Sequence, residues 1–476
     1  MTQTLSSNKQ TTEEVVAQVP ALVKMLKATF RSGKTRPLSW RLEQLRGLQA
    51  MIRENSDEWA EVLHADLGKS SLEAALTETQ FLLAELDLTV KNLEKWAKPR
   101  KVTTPMTLQP SKSYIHQDPL GTVLIIAPWN YPLQLSVGPV IGAIAAGNTV
   151  VLKPSELAPA TSAAMARLIP QYVDPEAVVV VEGAVEETTA LLEHQWDHIL
   201  YTGNGVVARV IAAAAAKHLT PTTLELGGKS PCIVTSDANL ALTARRIMFG
   251  RMMNAGQTCV APDYVLVERD VHDALVDQLA KVVRDFYGDN PQDSADIARI
   301  VNERHFDRLV GLLPESDPKN GKVAVGGTHD RAARFVAPTV LVDVDPTAPV
   351  MQEEIFGPIL PVIAVDSIDA AIDFVNDRDK PLALYVFSQT SELEDKVLEQ
   401  TSSGGACVNA TVFQVSNPFL PFGGVGQSGQ GAYHGEASFT TFSHAKSVLR
   451  RSQMLDPGVM YPPFTPTKQT IIKKLI

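Results

Sequence analysis

A cysteine in an unusual setting is the first residue in this chain that could carry out chemistry. The stretch NAGQTCV places Cys259 behind Asn254, Gly256, Gln257 and Thr258, which are small or polar. An inert thiol is expected among apolar neighbours, whereas a thiolate nucleophile needs access to its target. Gly256 would also allow a close approach between the backbone and a ligand.

Two further side chains have the right chemistry to assist a nucleophile. Glu225 lies beside two glycines in LELGGKS, and Asn130 lies between two prolines in APWNYP. A carboxylate can act as a general base, and a side-chain amide can donate to an oxyanion. Each residue also has a structural interpretation: Cys259 as an inert buried thiol, Glu225 as a solvated turn residue and Asn130 as a helix cap. Taken singly, none of the three decides between these interpretations.

Two stretches match the glycine pattern of dinucleotide-binding loops. In TGNGVVA, Gly203, Gly205 and Ala208 follow a predicted strand and precede a predicted helix, whose N-terminal amides could receive a pyrophosphate. The stretch GGVGQSG, with Gly424 and Gly426, is followed by no helix-forming run, so a glycine turn close to another segment is favoured there. Glu225 lies 20 residues after Gly205, the spacing of a ribose-binding acid, so spacing gives this residue a second candidate role.

The elements that position these residues follow from hydrophobic periodicity. Residues 1–14 are polar and predict a loose tail, and the rest of the first hundred residues has the spacing of covering helices. From TVLIIAP onward, short β-branched runs alternate with helical runs as far as LELGGKS, and a second such series runs from PCIVTSD to about Asn417. Alternating strands and helices predict two doubly wound α/β domains, each with a parallel sheet covered on both faces.

Composition excludes several classes of protein. The formal net charge of -10 argues against a nucleic-acid surface, and the longest apolar stretch, residues 137–152, is interrupted by Pro139 and Gly147. Three widely separated cysteines and a start without an apolar signal favour a reducing cytoplasm. The chain has neither HExxH nor paired CxxC, so we expect no catalytic metal. His434 and His444 leave open a thiol hydrolase with a Cys–His pair, although a packing role is favoured because no hydrolase signature surrounds Cys259.

The chain resembles the aldehyde dehydrogenase superfamily over about residues 20–450. The resemblance rests on motifs that occur in the family's order: APWNYP, LKPSE, YTGN, LELGGKSP, NAGQTC, EEIFGP and PFGGVGQSG. Within the superfamily the class 3, or fatty aldehyde dehydrogenase, branch is most similar, because of YHGEASFTTFSHAKSVL and the late YPPF. One alternative is a relative that passes the acyl group to coenzyme A or phosphate, which the presence of Glu225 disfavours. Another is a non-catalytic scaffold on this fold, which the presence of Cys259, Glu225 and Asn130 together disfavours.

The resemblance implies a reaction and gives the three candidate residues their roles. Cys259 would attack an aliphatic or aromatic aldehyde to give a thiohemiacetal, with Asn130 and the Cys259 backbone N–H stabilising the oxyanion. Hydride transfer to nicotinamide would leave a thioester, and Glu225 would activate the water that hydrolyses it. Glu225 is thereby assigned to catalysis rather than to the ribose.

The resemblance also implies the contacts to NAD, with NADP possible. Lys153 and Glu156 are expected at the adenosine ribose, where a carboxylate favours NAD over NADP, although the branch often accepts both. Glu354 is expected at the nicotinamide ribose and Phe356 against the ring. The remaining expected cofactor contacts are Pro128, Trp129, Gly203, Asn204 and Gly205. The family commonly has glycine where this chain has Ala208, whose methyl group would tighten helix packing or shift the phosphate.

Domain boundaries and assembly are likewise expected from the resemblance. Residues 1–99 and 121–226 would form the cofactor domain, residues 227–420 the catalytic domain, residues 100–120 and 421–450 an oligomerisation flap, and residues 451–476 a C-terminal tail. The branch is mostly dimeric, so we expect a homodimer without a membrane anchor that acts on a small-molecule aldehyde.

Overall fold

The computed structural model describes residues 11–454, 456 and 458–475. Its helices are α1 (Thr12–Arg31), α2 (Leu38–Glu54), α3 (Ser56–Leu67), α4 (Ser71–Ala74), α5 (Gln80–Ala97), α6 (Gln134–Ala146), α7 (Pro159–Tyr172), α8 (Val185–Leu192), α9 (Gly205–Ala216), α10 (Leu240–Met252), α11 (His272–Tyr287), α12 (Glu303–Val310), α13 (Pro349–Gln352), α14 (Ile368–Asn376), α15 (Ser391–Gln400), α16 (Gly435–Thr441) and α17 (Pro466–Leu475). A π-helical turn, Ala75–Thr79, joins α4 to α5.

The strands follow the same alternation. They are β1 (Arg100–Val102), β2 (Ser111–Pro119), β3 (Thr122–Ile126), β4 (Thr149–Lys153), β5 (Val178–Val180), β6 (His198–Gly203), β7 (Thr222–Leu226), β8 (Pro231–Val234), β9 (Tyr264–Glu268), β10 (Lys322–Val325), β11 (His329–Asp330), β12 (Phe335–Val336), β13 (Thr339–Val342), β14 (Ile359–Val365), β15 (Ala383–Phe387), β16 (Gly405–Val408), β17 (Gly429–Gln430) and β18 (Ser443–Arg451).

The start of α1 corrects the expectation of a tail over residues 1–14. The Thr11 side chain accepts from the Glu14 backbone, and the Glu14 side chain accepts from the Thr11 backbone, so the two residues form a capping box. Because this box satisfies backbone groups at the helix start, the chain is helical from Thr12 onward. Residues 1–10 of the expected tail lie outside the described residues.

A six-stranded sheet carries the first α/β series, in the order β17-β7-β6-β3-β4-β5. Strands β3 to β7 are parallel. After β3, the chain adds β4 and β5 on one side of β3, and then adds β6 and β7 on the other side. Successive residues of β3 face opposite layers: Val123 and Ile125 pack with α2, α5, α6 and α7, and Leu124 and Ile126 pack with α1 and α9. The sheet is therefore covered on both faces.

The second series forms a seven-stranded sheet in the order β10-β13-β14-β9-β8-β15-β16. All of its neighbouring pairs are parallel except β10 with β13. Alternate residues of β8 again face two separate cores, Cys232 and Val234 on one side and Ile233 on the other. The predicted pair of doubly wound α/β domains is confirmed.

A third, smaller sheet has the order β1-β2-β18 and is antiparallel throughout. It uses residues 443–451 of the C-terminal region, whereas β17 pairs with β7 in the first sheet and α16 packs on α6. The predicted flap segment 421–450 therefore contributes to two sheets. The domain boundaries themselves remain predictions, as does the interpretation of residues 451–476 as a tail, a region that contains the end of β18 and α17.

Candidate active site

The loop that carries Cys259 follows α10 and a 3₁₀ turn, Met253–Gly256. Three successive residues of this turn have positive φ, namely Asn254 at 51°, Ala255 at 52° and Gly256 at 76°. A Cβ atom at Gly256 would lie 2.2 Å from the Gly357 carbonyl oxygen, so only glycine fits. The close approach expected at Gly256 is thus to another backbone segment.

Asn130 is hydrogen-bonded to the same loop. Its Nδ2 donates to the Gln257 carbonyl over 3.0 Å, and its own carbonyl accepts from Asn254 Nδ2 over 2.7 Å and from Lys69 Nζ over 3.1 Å. The side-chain amide therefore lies beside the backbone two residues before Cys259, although the two residues are far apart in sequence.

Glu225 is buried on β7, where its carboxylate has no hydrogen-bond partner in the described part of the chain. Burial raises the pKa of Glu225 well above its ordinary value. Burial also raises the pKa of the Cys259 thiol, and the negative charges of Glu354 and Glu225 raise it further. The half-buried thiol is therefore protonated at rest and needs a base before it can act as a nucleophile.

A cavity of about 90 Å³ opens against Cys259. Most of its lining is apolar, and the polar groups that face it include Tyr433 and His434. The apolar side chains are Leu76, Phe81, Leu135, Met253, Val260, Val412, Val415 and Phe422. This composition suits a largely apolar substrate whose reactive carbon reaches the sulfur.

His434 thus lies on the same cavity as Cys259, where the sequence interpretation favoured a packing role. Burial lowers the pKa of His434 to about 3. Such a weakly basic imidazole does not take a proton from a thiol at neutral pH, so the Cys–His hydrolase alternative loses its base. His444, in contrast, lies on exposed β18 opposite Asp118.

The first sheet reverses its strand order between β3 and β6. Ligands of doubly wound sheets bind at the carboxyl ends of the strands at such a point. Pro128 and Trp129 follow β3 there, and Gly203, Asn204 and Gly205 join β6 to α9. The Asn204 side chain caps α9 by accepting from the Val207 backbone over 3.0 Å. The amides at this helix start suit a pyrophosphate.

Lys153 and Glu156 follow the neighbouring strand β4, with Lys153 Nζ 3.8 Å from the Glu156 carboxylate. Lys153 is buried and donates to the Pro154 carbonyl over 2.7 Å, whereas Glu156 is exposed. Near this edge the buried atoms Thr202 Oγ1 and Glu182 Oε2 have no hydrogen-bond partner among the described residues. This mixed set of donors and acceptors fits the hydroxyls of a ribose.

Glu354 and Phe356 come from the loop between α13 and β14. The Glu354 carboxylate packs against Gly227, the first glycine of LELGGKS, where a Cβ atom would lie 2.0 Å from Glu354 Oε2. Burial, and next the charge of Asp263, raises the pKa of Glu354 to about 8. The Phe356 ring meets the Trp129 ring edge to face with a centroid distance of 5.4 Å. The two loops expected at the nicotinamide end are therefore in contact.

The two stretches that match the dinucleotide pattern form different structures. GGVGQSG forms a 3₁₀ turn and β17, and a Cβ atom at Gly429 would lie 2.2 Å from the Leu224 carbonyl oxygen, so the expected close-packed glycine turn is confirmed. Ala208, in the other pattern, is buried between α9 and its sheet among Tyr201 and Leu226. Its methyl group therefore contributes to helix packing.

A set of buried residues that supports the Cys259 loop could not be recognised from the sequence. Lys69 and Glu78 form a fully buried ion pair of 2.6 Å, and Lys69 Nζ lies 4.0 Å from the centroid of the Tyr131 ring. Tyr131 Oη is 2.6 Å from Thr258 Oγ1, beside Cys259. Nothing in the local sequence around Lys69 indicates this function, because its partners belong to distant segments.

Among the residues that the structure describes, no cluster of three or more His, Cys, Asp or Glu side chains could hold a metal ion. In the same part of the chain, no helix is both long enough and apolar enough to cross a membrane.

A doubly wound sheet with a strand reversal, together with a thiol and a buried carboxylate, is the arrangement expected of a pyridine-nucleotide-dependent oxidoreductase with a cysteine nucleophile. Comparison with known proteins agrees, since the model of the aldehyde dehydrogenase family matches residues 3–448. The dimeric NADP-preferring aldehyde dehydrogenase of Rattus norvegicus is 49% identical over 450 residues, which are 94% of this chain and 98% of that protein. Aldehyde dehydrogenase family 3 member A2 of the same species is 48% identical over 94% of this chain and 92% of its own length.

A solved structure of Staphylococcus aureus AldH in its substrate-bound state is similar with a TM-score of 0.93 and 44% identity, covering 96% of this chain and 99% of that one. The chain belongs to the aldehyde dehydrogenase family, and its resemblance to the class 3 branch is confirmed. The predicted activity, oxidation of an aldehyde to a carboxylic acid with NAD(P), is likewise confirmed.

Proposed function

We propose that Cys259, Glu225 and Asn130 carry out this oxidation, with Cys259 as nucleophile, Glu225 as general base and Asn130 as oxyanion donor. The observation that carries the proposal is their convergence: Asn130 binds the backbone of the Cys259 loop, and the charge of Glu225 acts on the thiol at the end of an apolar cavity.

In the first half of the reaction, Glu225 takes the proton of the thiol as sulfur bonds to the carbonyl carbon. The π electrons of the carbonyl move to oxygen, where the Cys259 backbone N–H and the Asn130 amide donate to them. An amide nitrogen has two N–H groups, so Asn130 can keep its bond to Gln257 and donate with the other. Bound NAD(P)⁺ supplies the acceptor for the hydride that leaves this carbon.

The second half releases the acid. Glu225 first releases the thiol proton to solvent and then takes a proton from the water that attacks the Cys259 thioester. The carbon–sulfur bond breaks, and sulfur leaves as a thiolate that recovers the proton held by Glu225. The unpartnered carboxylate of Glu225 supports this role, because no protein donor competes with water for its oxygens among the described residues. Its raised pKa also makes it a stronger base than an exposed glutamate.

For the cofactor we propose that Lys153 and Glu156 hold the adenosine ribose, Gly203, Asn204 and Gly205 the pyrophosphate, and Glu354 the nicotinamide ribose. Pro128, Trp129 and Phe356 would line the crevice between these points. The Glu156 side chain is 47% exposed, so it can turn into solvent and leave Lys153 to pair with a 2′-phosphate. We therefore propose that the protein uses both NAD and NADP.

We further propose that the protein is a cytoplasmic homodimer. The dimeric state named for the rat relative supports the assembly, and the exposed sheet β1-β2-β18 offers a surface for it. Three free cysteines support a reducing compartment.

The test is absorbance of the reduced cofactor on mixing the protein with NAD or NADP and a panel of short, long and aromatic aldehydes, with and without coenzyme A. We expect turnover without coenzyme A. Cys259→Ala should abolish turnover and still bind the cofactor, which a fluorescence titration would detect. Turnover that needs coenzyme A would replace hydrolysis by acyl transfer, and substantial turnover by Cys259→Ala would remove the thiol from the mechanism.

A further inference from the structure

We propose that Tyr433 and His434 form a subsite for an uncharged hydroxyl group on the aldehyde, in the cavity that also contains Cys259. The inference rests on the proposed function of that cavity and adds a substrate class to it: compact aldehydes that carry a hydroxyl a few bonds from the carbonyl.

Both side chains present polar atoms that the protein leaves unbonded. Tyr433 is 1% exposed and His434 is 4% exposed, and both line the cavity. Tyr433 Oη, His434 Nδ1 and His434 Nε2 have no hydrogen-bond partner among the described residues. Buried polar atoms are normally bonded, so three of them together at one cavity indicate a ligand that supplies the partners.

Three other hydroxyls at this cavity, those of Tyr131, Thr258 and Thr77, provide a contrast. Tyr131 Oη and Thr258 Oγ1 are bonded to each other over 2.6 Å, and Thr77 Oγ1 donates to the Glu73 carbonyl over 2.7 Å. These hydroxyls already have protein partners, whereas Tyr433 Oη and the two ring nitrogens of His434 have none among the described residues. The unsatisfied atoms are thus concentrated on one short segment of the wall.

That segment is held firmly in place. The His434 ring stacks on Phe422 with a centroid distance of 5.1 Å and meets Phe81 and Tyr433 edge to face at 5.5 and 4.4 Å. The backbones of Phe422 and Tyr433 exchange two hydrogen bonds, of 2.9 and 2.8 Å. His434 itself has φ of 82°, a conformation that a histidine rarely adopts. Such a conformation is maintained only where the surrounding structure requires it.

The charge state of the subsite selects a neutral group. Burial lowers the pKa of His434 to about 3 and raises the pKa of Tyr433 well above its ordinary value, so both are uncharged at neutral pH. A neutral imidazole offers one donor and one acceptor, and a phenol offers either. A substrate hydroxyl can satisfy both functions, whereas a carboxylate or an ammonium group would enter an apolar cavity without a counter-charge on these two residues.

The shared cavity places the hydroxyl near the carbonyl, because Cys259, Tyr433 and His434 all line it. With the carbonyl carbon at the sulfur, the probes therefore carry the hydroxyl a few bonds from the carbonyl. We choose two probe pairs in which a hydroxyl replaces a methyl group: 3-hydroxypropanal with butanal, and 3-hydroxybenzaldehyde with 3-methylbenzaldehyde.

The experiment measures kcat/KM for each pair and uses the hydroxyl-to-methyl ratio, which is independent of the fraction of active protein. We expect the wild type to favour the hydroxyl member of at least one pair roughly 3- to 10-fold, as a neutral hydrogen bond allows. Tyr433→Phe and His434→Leu should lower that ratio to one or below. Ser416→Ala removes another hydroxyl from the same cavity and should leave the ratio unchanged.

A binding measurement separates this inference from the catalytic proposal. Calorimetric titration of Cys259→Ala with 3-hydroxybenzaldehyde and 3-methylbenzaldehyde should show the same preference without any chemistry, and Tyr433→Phe in that background should remove it. Absent turnover with intact preferential binding would refute the catalytic proposal alone. A hydroxyl-to-methyl ratio of one or below for both pairs would overturn the subsite, as would a ratio that Ser416→Ala lowers and Tyr433→Phe does not. Where turnover is absent, equal or weaker binding of 3-hydroxybenzaldehyde relative to 3-methylbenzaldehyde would overturn it. If His434→Leu fails to fold because of the positive φ, the result for Tyr433→Phe decides.

Discussion

Glu225 joins two properties that rarely occur together in one carboxylate. It is buried, and no donor among the described residues satisfies either of its oxygens. Since the protein gains nothing in stability from such a group, its presence is best explained by a bond that forms during the reaction. The same burial that costs stability makes the carboxylate a stronger base.

We therefore predict that Glu225→Gln slows release of the acid about 10²- to 10⁴-fold, the usual contribution of a general base. The substituted amide keeps the shape of the side chain and cannot take a proton. The variant should slow the thiol step as well, but release of the acid more, so pre-steady-state absorbance should show a slowed burst of reduced cofactor followed by still slower turnover. The wild-type rate should rise with pH as Glu225 loses its proton, and the variant should lack this rise. A variant with wild-type turnover and an unchanged pH profile would assign the base to another residue.

The raised pKa also predicts a change in stability. The folded protein keeps the Glu225 proton at pH values where the unfolded chain, with a carboxyl pKa near 4.5, has lost it. The free energy of unfolding therefore falls as pH rises through this interval. Glu225→Gln removes the titrating group, so its unfolding midpoint should exceed that of the wild type at pH 8 by more than at pH 4. Scanning calorimetry at the two pH values measures this difference, and parallel curves would contradict it.

Cys259, Glu225 and Asn130 were predictable from motifs in the sequence. In the structure, Asn130 binds the backbone of the Cys259 loop and Glu225 acts on the Cys259 thiol. Spacing alone did not decide whether Glu225 binds a ribose or acts as the general base, because distance along the chain does not specify which way a strand side chain faces. Tyr433 and His434 could not be predicted as a cavity wall. Their position depends on the pairing of Phe422 with Tyr433 and on α5, which lies more than three hundred residues earlier.

At the scale of elements, the helical hairpin α3–α4 supports the catalytic loop. Glu73 accepts from the Asn254 backbone over 2.5 Å, and Lys69 donates to the Asn130 carbonyl. Glu78 accepts from the backbones of Leu133 and Gln134 over 2.9 and 3.0 Å, which anchors the start of α6. The buried Lys69–Glu78 pair therefore links this N-terminal region both to the Asn130 carbonyl and to the start of α6.

We predict that Lys69→Met lowers the free energy of unfolding by about 3–5 kcal/mol, because it leaves Glu78 buried without its counter-charge. The double variant Lys69→Met/Glu78→Gln should recover much of this loss, since no charge is left unpaired. It should still show a lowered kcat, because the Asn130 carbonyl lacks its Lys69 donor. Denaturant unfolding and steady-state kinetics measure the two effects separately.

Lys281→Met provides the control, since Lys281 pairs with Asp285 on the exposed face of α11 at 2.6 Å. An exposed pair contributes only about 0–1 kcal/mol, so this variant should unfold like the wild type. If the double variant recovered stability and kcat together, Lys69 would be a stabilising residue without a positioning role.

Most elements were predictable because their signals are local. Strands such as β3 and β8 are short apolar runs bounded by turns, and their alternation with helices specifies a parallel sheet. The beginning of α1 was missed because its first residues are polar, although the capping box of Thr11 and Glu14 is itself a sequence signal.

In the whole molecule, the two large sheets position the proposed catalytic and cofactor-binding residues, and the small sheet β1-β2-β18 provides the surface proposed for the homodimer. Its two edge strands, β1 and β18, are mostly exposed, and Leu449 on β18 is 51% exposed. An exposed edge strand with an apolar side chain is a surface that another chain can cover. Sequence periodicity could not reveal this surface, because a short strand pair without its own core resembles a loop.

We predict that Leu449→Arg weakens the proposed homodimer, because a buried guanidinium without a partner opposes association. Sedimentation velocity over a range of concentrations should show a dimer for the wild type and a shift to monomer for the variant. Leu242→Arg, at an exposed leucine of α10 outside the small sheet, introduces the same charge and should remain dimeric. A wild type that stays monomeric at all concentrations would contradict the proposed dimer, whereas dissociation caused only by Leu242→Arg would move the interface from β18 to the surface around α10.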